Sequence, residues 1–211
     1  ADALGESRDR RERRVFLDTL VSLGPLAMET AQQMVDDPRW FVVRNGVAVL
    51  GELEGEDVMT PLTGTLAHDD ARVRRETVLA LAKHGGTDAE VLIQGMLADG
   101  SSAVRSVAAR ALGVLGSQGS VKDLLGLLKD DETDVQVEAI QALGNIGDPG
   151  AVPAIEKKAH GGLFSRAPRE VRISAFRALA AIGTPGAMKA LEKGAGHRDE
   201  EIRSVVESLM V

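Results

Sequence analysis

The chain has 211 residues, of which 44% are hydrophobic and 2% aromatic, no cysteine, a formal net charge of −7 and a pI of about 5.2. This size and hydrophobic content are sufficient for one or two ordinary domains without disulfides or metal. The lack of cysteine excludes disulfide frameworks and thiolate chemistry, and it fits a cytoplasmic location. The acidic balance disfavours nucleic acid as a partner of the whole chain, because a surface that neutralises phosphates is basic.

The amino-terminal end is polar and rich in arginine. Residues 1–9 are predicted to be a linker or disordered. The arginine cluster "SRDRRERR" over 7–14 is interpreted as a solvated helix start or linker, with a docking segment as the alternative. No run of about 18 apolar residues predicts a membrane span. Because the chain begins with Ala1 and stops at Val211 within an amphipathic pattern, we interpret it as a piece of a longer protein.

A helical pattern recurs along the chain with a period of 31 residues. Its leading hydrophobic residues are separated by 31 residues, except for one step of 36; they are Val42, Val73, Val104, Val135, Val171 and Ile202. After Val104, apolar residues follow the spacing of one helical face. Gly116 is expected to end that helix, because glycine tolerates the left-handed conformation. A second helix is predicted from about Ser120 to Lys129, so each repeat is predicted to be a pair of helices.

The repeat domain is predicted over residues 10–211. Its units are placed at about 10–37, 38–69, 70–100, 101–131, 132–168 and 169–199, with a partial unit over 200–211. The turns "GDPG" (147–150) and "GTPG" (183–186) place glycine at one helix end and proline near the start of the next helix. Since no long stretch alternates with period two, the predicted fold class is all-α.

These repeats resemble a known family. The pattern "VR…ALG.LG" in the first helix and "GDPGAVPAI" (147–155) in the second are similar to short HEAT repeats, the type also found in phycobilin-lyase-like proteins. The resemblance covers roughly residues 10–211. It implies a right-handed α-solenoid of about six 31-residue helix pairs, with first helices on the convex face and second helices on the concave face. It also suggests part of a larger bacterial HEAT-repeat protein.

Two aromatic residues depart from the repeat pattern. Trp40 and Phe41 occupy positions that the other units fill with small, polar or charged residues. One interpretation is that both rings fold back over the first unit and seal it. The other is that they anchor a protein partner, with Arg44 adding polar contacts one turn further on. The sequence leaves both open. Of the remaining aromatic residues, Phe16 and Phe176 lie in first-helix patterns and are expected in the core.

The step of 36 residues contains an insertion, "HGGLFSRAPRE". Insertions in repeat arrays fall in loops on one edge and often carry binding residues. Leu163, Phe164 and Arg166 are therefore candidates for partner contact, with packing against the neighbouring repeat as the alternative.

The second helices change charge along the chain. The first three units carry Glu29, Glu56, Asp57, Asp88 and Glu90 there, and no lysine or arginine. The later units carry lysines, and we expect a basic ridge on the concave face, formed by Lys122, Lys157, Lys189 and Lys193. The simpler interpretation is a solvated helix face, whereas a functional gradient would steer a charged partner.

No catalytic or metal-binding motif is found. The histidines lie in separate repeats, and His68, His160 and His197 are interpreted as cations near helix carboxyl ends. No His-Glu dipeptide occurs, which argues against HEAT enzymes similar to deoxyhypusine hydroxylase. We expect a non-enzymatic scaffold without cofactor or metal. It would bind a protein, or another domain of its own chain, through its concave face and one loop edge; a small-molecule partner is not expected. The alternatives are an enzyme or chromophore-binding protein similar to phycobilin lyases and, third, nucleic-acid binding.

Overall fold

The computed structural model describes residues 10–53, 58–161 and 167–210, and these residues form α-helices and short 3₁₀ turns without a strand. The described helices are α1 (Arg10–Val21), α2 (Pro25–Val35), α3 (Trp40–Leu50), α4 (Met59–Thr65), α5 (Ala71–His84), α6 (Gly86–Gly95), α7 (Ser102–Leu115), α8 (Val121–Leu127), α9 (Thr133–Ile146), α10 (Val152–His160), α11 (Arg169–Ile182), α12 (Pro185–Lys193) and α13 (Glu200–Leu209). The all-α repeat fold predicted from the sequence is thus confirmed. The odd-numbered helices are the first helices of the repeats, and the even-numbered helices are the second helices.

The chain divides into two compact units, Ala1–Met96 (unit 1) and Leu97–Val211 (unit 2). In unit 1, first helices α3 and α5 pack side by side, and α2 packs against α3. In unit 2, α7, α9 and α11 pack in series, and α10 packs against α11. Within each unit, consecutive repeats therefore bury their apolar faces against one another, as expected for stacked helix pairs.

The core follows the repeat register. The leading hydrophobic residues Val73, Val104, Val135 and Val171 are 0% exposed, and Phe176 is fully buried as predicted. The side chain of Phe16 lies outside the described residues. The repeated leucines of the first helices are also fully buried; they are Leu50, Leu81, Leu112, Leu143 and Leu179.

Neighbouring first helices approach closely at a glycine that faces an alanine. A Cβ atom added at Gly113 would lie 2.5 Å from the Cα atom of Ala142, and one added at Gly144 would lie 2.8 Å from the Cα atom of Ala178. In unit 1 the same pairing joins Gly51 to Ala80, with 2.9 Å between the added Cβ and the alanine Cβ. The missing side chains of Gly51, Gly113 and Gly144 therefore allow this close approach, whereas two other repeats hold Ala82 and Ala180 at the equivalent position.

The helix ends agree with the sequence patterns, with small differences. Gly116 has φ 68° and ends α7, as predicted. Pro185 starts α12 after Gly183, whereas Pro149 starts a 3₁₀ turn that precedes α10. Helix α8 is shorter than its predicted range, since the residues before Val121 form a 3₁₀ turn. Helix α3 begins at Trp40, two residues before the leading hydrophobic residue Val42.

Candidate functional site

The second helices expose two equivalent positions in each repeat. In α10, Ile155 is fully buried, while Pro153 and Lys157, two residues away on either side, are exposed. An α-helix turns by about 100° per residue, so residues two positions from the buried centre point away from the core. These two positions form the middle of the solvent-facing surface of each second helix.

In unit 2 the six middle positions hold four lysines. They are Lys122 and Gly126 on α8, Pro153 and Lys157 on α10, and Lys189 and Lys193 on α12, and all six are exposed. We call Lys122, Lys157, Lys189 and Lys193 the lysine row. The structure thus places the four lysines of the sequence-predicted basic ridge at equivalent exposed positions.

Carboxylates flank the lysine row. Asp123, Glu156 and Glu192 are each adjacent in sequence to a lysine of the row, and so lie about 100° around the helix from it. Lys193 Nζ donates to Glu156 Oε1 at 2.6 Å, and this hydrogen bond lowers the pKa of Glu156. The fifth lysine of these helices, Lys158, is half-buried and donates to Gln136 Oε1 at 2.9 Å. Burial lowers the pKa of Lys158.

Unit 1 has no lysine at the equivalent positions. These are filled by Glu29 and Gln33 on α2, Thr60 and Gly64 on α4, and Val91 and Gly95 on α6, all exposed. Glu56 and Asp57, two of the acidic residues noted in the sequence, lie outside the described residues. At these matching positions unit 2 therefore carries four lysines, whereas unit 1 carries one charged residue, Glu29.

Trp40 packs under an arginine of the following repeat. The Cζ atom of Arg72 lies 3.4 Å from the centroid of the Trp40 ring, and Arg44 Cζ lies 5.6 Å from it. Arg72 is fixed in turn by Asp70, with Nε–Oδ1 at 2.9 Å and Nη2–Oδ2 at 2.6 Å. This pairing lowers the pKa of Asp70 to about 2. The contact that fixes Trp40 thus joins α3 to α5, whereas the sealing interpretation placed it over the first unit.

Phe41 belongs to the same cluster. Its ring meets Trp40 edge-to-face, with 5.9 Å between centroids, and Arg39 Cζ lies 5.8 Å from the Phe41 centroid. Arg39 is held by Asp37 through two side-chain hydrogen bonds of 2.9 and 2.8 Å. Both rings are half-buried. The other partner-binding candidates of the sequence, Leu163, Phe164 and Arg166, lie outside the described residues.

A set of arginines that the sequence reasoning missed connects the repeats of unit 2. Arg105 donates to the Asp99 carbonyl at 2.9 Å and to both carboxylate oxygens of Asp130 at 2.7 and 2.9 Å. Both side chains of the pair are largely buried, with 17% and 8% exposed. The hydrogen bond from Arg105 lowers the pKa of Asp130. The available signal was the arginine that follows the leading hydrophobic residue at Arg74, Arg105, Arg172 and Arg203.

His197 occupies the repeat position that Asp130 occupies beside Arg105, and it lies beside Arg172. Arg172 donates to the Ala159 carbonyl at 3.0 Å and contacts His197 Nε2, while the Asp199 amide donates to His197 Nδ1 at 3.0 Å. A neutral imidazole has one lone pair and cannot accept from both donors, whereas a carboxylate can. Burial, followed by the charge of Arg172, lowers the pKa of His197. We call these contacts of Arg105 and Arg172 the arginine ladder.

Two of the three histidines placed near helix carboxyl ends accept a main-chain hydrogen bond. His68 Nδ1 accepts from the Asp70 amide at 2.9 Å, as His197 Nδ1 does from the Asp199 amide at 3.0 Å. His160 contacts the Ala190 carbonyl at 2.9 Å through Nε2. Across the described ranges, no group of three or more histidines and carboxylates has the spacing of a metal site, and no helix there is long and apolar enough to cross a membrane.

Comparison with known proteins identifies the class of these repeats. Residues 89–162 match the family model for HEAT repeats. The complex of CpcE and CpcF of phycocyanin lyase from Nostoc sp. PCC7120 is similar in structure, with a TM-score of 0.63 and 20% identity over 87% of this chain and 75% of that chain. A designed armadillo repeat protein in complex with the peptide (KR)4 has a TM-score of 0.61 and 21% identity, over 87% of this chain and 98% of that chain. No curated protein matches the chain.

Residues 89–162 therefore match HEAT repeats, and the chain has a helical-repeat fold similar to that of armadillo-type proteins. At identities near 20% the structural likeness shows the fold alone. An engineered protein has the same fold, with a TM-score of 0.59 and 23% identity over 87% of this chain and 96% of that chain.

Proposed function

We propose that this protein is a non-enzymatic scaffold that binds a partner polypeptide through the second-helix surface of unit 2. The partner is another protein or another domain of the same full-length chain. The observation that carries the proposal is the lysine row, which fills four of the six middle positions of α8, α10 and α12. Each of these three successive second helices exposes at least one lysine at its two middle positions, and the fold itself does not require a charge there.

The internal contacts of unit 2 support this surface. The arginine ladder and the Gly113–Ala142 and Gly144–Ala178 contacts lie among the first helices and turns, so they hold the repeats in register without using the lysine row. A binding surface on rigid elements loses less conformational entropy when a partner binds. The designed armadillo neighbour, which was solved in complex with a peptide, supports the use of this fold for peptide binding.

Trp40 and Phe41, with Arg44, form a secondary part of the proposal. Their rings are half-exposed, and aromatic side chains are frequent at binding hot spots. The stack of Arg72 on Trp40 occupies one face of the indole ring. We therefore assign the main binding role to the lysine row and a mainly structural role to Trp40.

The proposal includes the absence of catalysis and a cytoplasmic location, the latter based on the lack of cysteine. A lyase function is the weaker candidate, because it rests on the likeness of fold to the phycocyanin lyase complex at 20% identity. Nucleic acid is a weaker candidate partner than a polypeptide, because the chain has a net charge of −7 and carboxylates flank the lysine row.

An unbiased peptide selection tests the proposed function. A random peptide display library would be selected on the immobilised full chain, and enriched peptides would be measured for binding to two variants of equal charge. Lys157→Gln with Lys189→Gln removes two charges from the lysine row, whereas Arg177→Gln with Arg198→Gln removes two exposed charges elsewhere in unit 2. We expect only the lysine variant to weaken binding. Enriched peptides that bind both variants equally well would contradict the proposal, as would a selection that enriches nothing.

A further inference from the structure

The chemistry and spacing of the lysine row define the partner more closely. We propose that the row binds an extended acidic segment whose Asp or Glu residues are spaced about three residues apart, rather than grouped together. This inference rests on the proposed function.

Charge complementarity gives the sign of the partner. Each of α8, α10 and α12 carries an exposed lysine at the middle of its solvent-facing surface. The single salt bridge described for this row joins Lys193 to Glu156. Lys122, Lys157 and Lys189 extend from three successive helices, and carboxylates of a partner would complement them.

The spacing between helices gives the expected spacing of the acidic residues in the partner. Packed helices lie about 8–10 Å apart, and an extended chain rises about 3.3 Å per residue. One step from helix to helix therefore corresponds to about three residues of an extended peptide. Lys157 lies one helical turn from the level of Lys122 and Lys189, which lengthens each step slightly and permits a spacing of three to four residues.

The flanking carboxylates restrict where the acidic groups of the partner can lie. Asp123, Glu156 and Glu192 lie beside the row, so acidic groups that extend to the sides of it would meet like charges. A single line of spaced carboxylates satisfies the row, whereas a polyanion such as single-stranded nucleic acid carries phosphates that would also face these side chains. Specificity for spacing thus follows from attraction along the row and repulsion beside it.

The test uses labelled peptides of matched composition and the full chain. Fluorescence anisotropy would compare (Glu-Gly-Ser)4 with a peptide that groups the same four glutamates together, with (Lys-Gly-Ser)4 and with a single-stranded oligonucleotide. We expect the spaced acidic peptide to bind most tightly and to lose affinity when salt is raised, because the contacts are exposed charges. An exposed ion pair contributes about 0.2–1 kcal/mol, so Lys157→Gln with Lys189→Gln should weaken it by about fivefold. Arg177→Gln with Arg198→Gln should leave its affinity within about twofold.

The outcomes separate this inference from the proposed function. If library peptides bind through the lysine row but are neutral or basic, or if grouped and spaced glutamates bind equally, the acidic-segment inference is wrong and the scaffold function stands. If the oligonucleotide binds more tightly than every peptide and the lysine variant abolishes its binding, both proposals are overturned. Equal binding of the spaced peptide to the two variants would also overturn the inference.

Discussion

Unit 1 and unit 2 are built from the same helix pair but use the exposed positions of the second helix differently. On α4 and α6 of unit 1 these positions hold Thr60, Gly64, Val91 and Gly95, which carry no charge. In unit 2 four of the six hold lysine. Since both sets are exposed, packing does not determine the difference. The comparison indicates that the repeat fold leaves this surface free to vary, and this is why we propose that unit 2 uses it for binding.

The contacts that connect repeats also differ between the units. In unit 1, the stack of Arg72 on Trp40 joins α3 to α5. In unit 2, the largely buried pair of Arg105 and Asp130 joins consecutive repeats. Stability in each unit should therefore respond to different substitutions.

The largest expected effect is the loss of the arginine ladder. Arg105→Ala should lower the free energy of unfolding by about 3 kcal/mol, because it leaves the carboxylate of Asp130 largely buried without its partner. Arg177→Ala, at an exposed arginine of α11, should change it by less than about 0.5 kcal/mol. Urea denaturation of both variants measures the difference, and equal midpoints would show that the ladder does not stabilise unit 2.

The close helix approach should give the next largest effect. Gly113→Ala should destabilise the protein by about 2 kcal/mol, because the new Cβ atom would lie 2.5 Å from the Ala142 Cα atom. Gly51→Ala in unit 1 should cost less, because its nearest contact is the Ala80 Cβ at 2.9 Å. Gly126→Ala is the control, since no atom lies within 4 Å and alanine should stabilise α8 by about 0.5–1 kcal/mol. A stable Gly113→Ala variant would contradict the packing account.

Trp40→Ala should lower the free energy of unfolding by about 1–2 kcal/mol, since the ring is half-buried and stacks with Arg72. A double-mutant cycle with Arg72→Ala should give a coupling energy of about 0.5–1 kcal/mol. Binding of the spaced acidic peptide should not change. Unaltered stability together with lost peptide binding would instead make Trp40 a partner anchor.

The smallest expected effect concerns His197 and depends on pH. Its pKa is lowered in the folded protein, so the unfolded chain binds the proton more readily. The stability from the neutral ring is complete above about pH 6.5, the ordinary value for histidine, and is lost as the pH falls from there through the lowered pKa. His197→Asp supplies the carboxylate that Asp130 supplies to Arg105, and should raise stability by up to about 1 kcal/mol.

Melting temperatures at pH 7.5 and 5.5 test this difference. The wild-type protein should lose more stability between the two values than His197→Asp, because a carboxylate in this pH range stays ionised. The same loss in both proteins would show that the contact with Arg172 is not sensitive to protonation.

The repeat period was sufficient to predict the fold. Each leading valine and each repeated leucine occupies the core, and Gly116 ends α7, because helix periodicity and glycine conformation are local properties of the sequence. The lysine row could also be predicted from the sequence, since the equivalent positions follow from the alignment of the repeats.

The partners of individual side chains could not be predicted in the same way. Arg72 lies 32 positions after Trp40 in the numbering, so only the packing of α3 beside α5 brings them together. The amide-acceptor role of His68 was missed because the histidines were considered one at a time. His68 occupies the register of Asp37, Asp99 and Asp130, each 31 residues from the next in the series, and the same role as amide acceptor follows from that register.

The most direct test of the central claim is hydrogen–deuterium exchange of the full chain with and without (Glu-Gly-Ser)4. A peptide bound to the lysine row should slow amide exchange in α8, α10 and α12, and leave exchange in α2, α4 and α6 of unit 1 unchanged. Protection of α4 and α6, or of the first helices alone, with no change in α8, α10 and α12 would contradict the assignment of binding to unit 2.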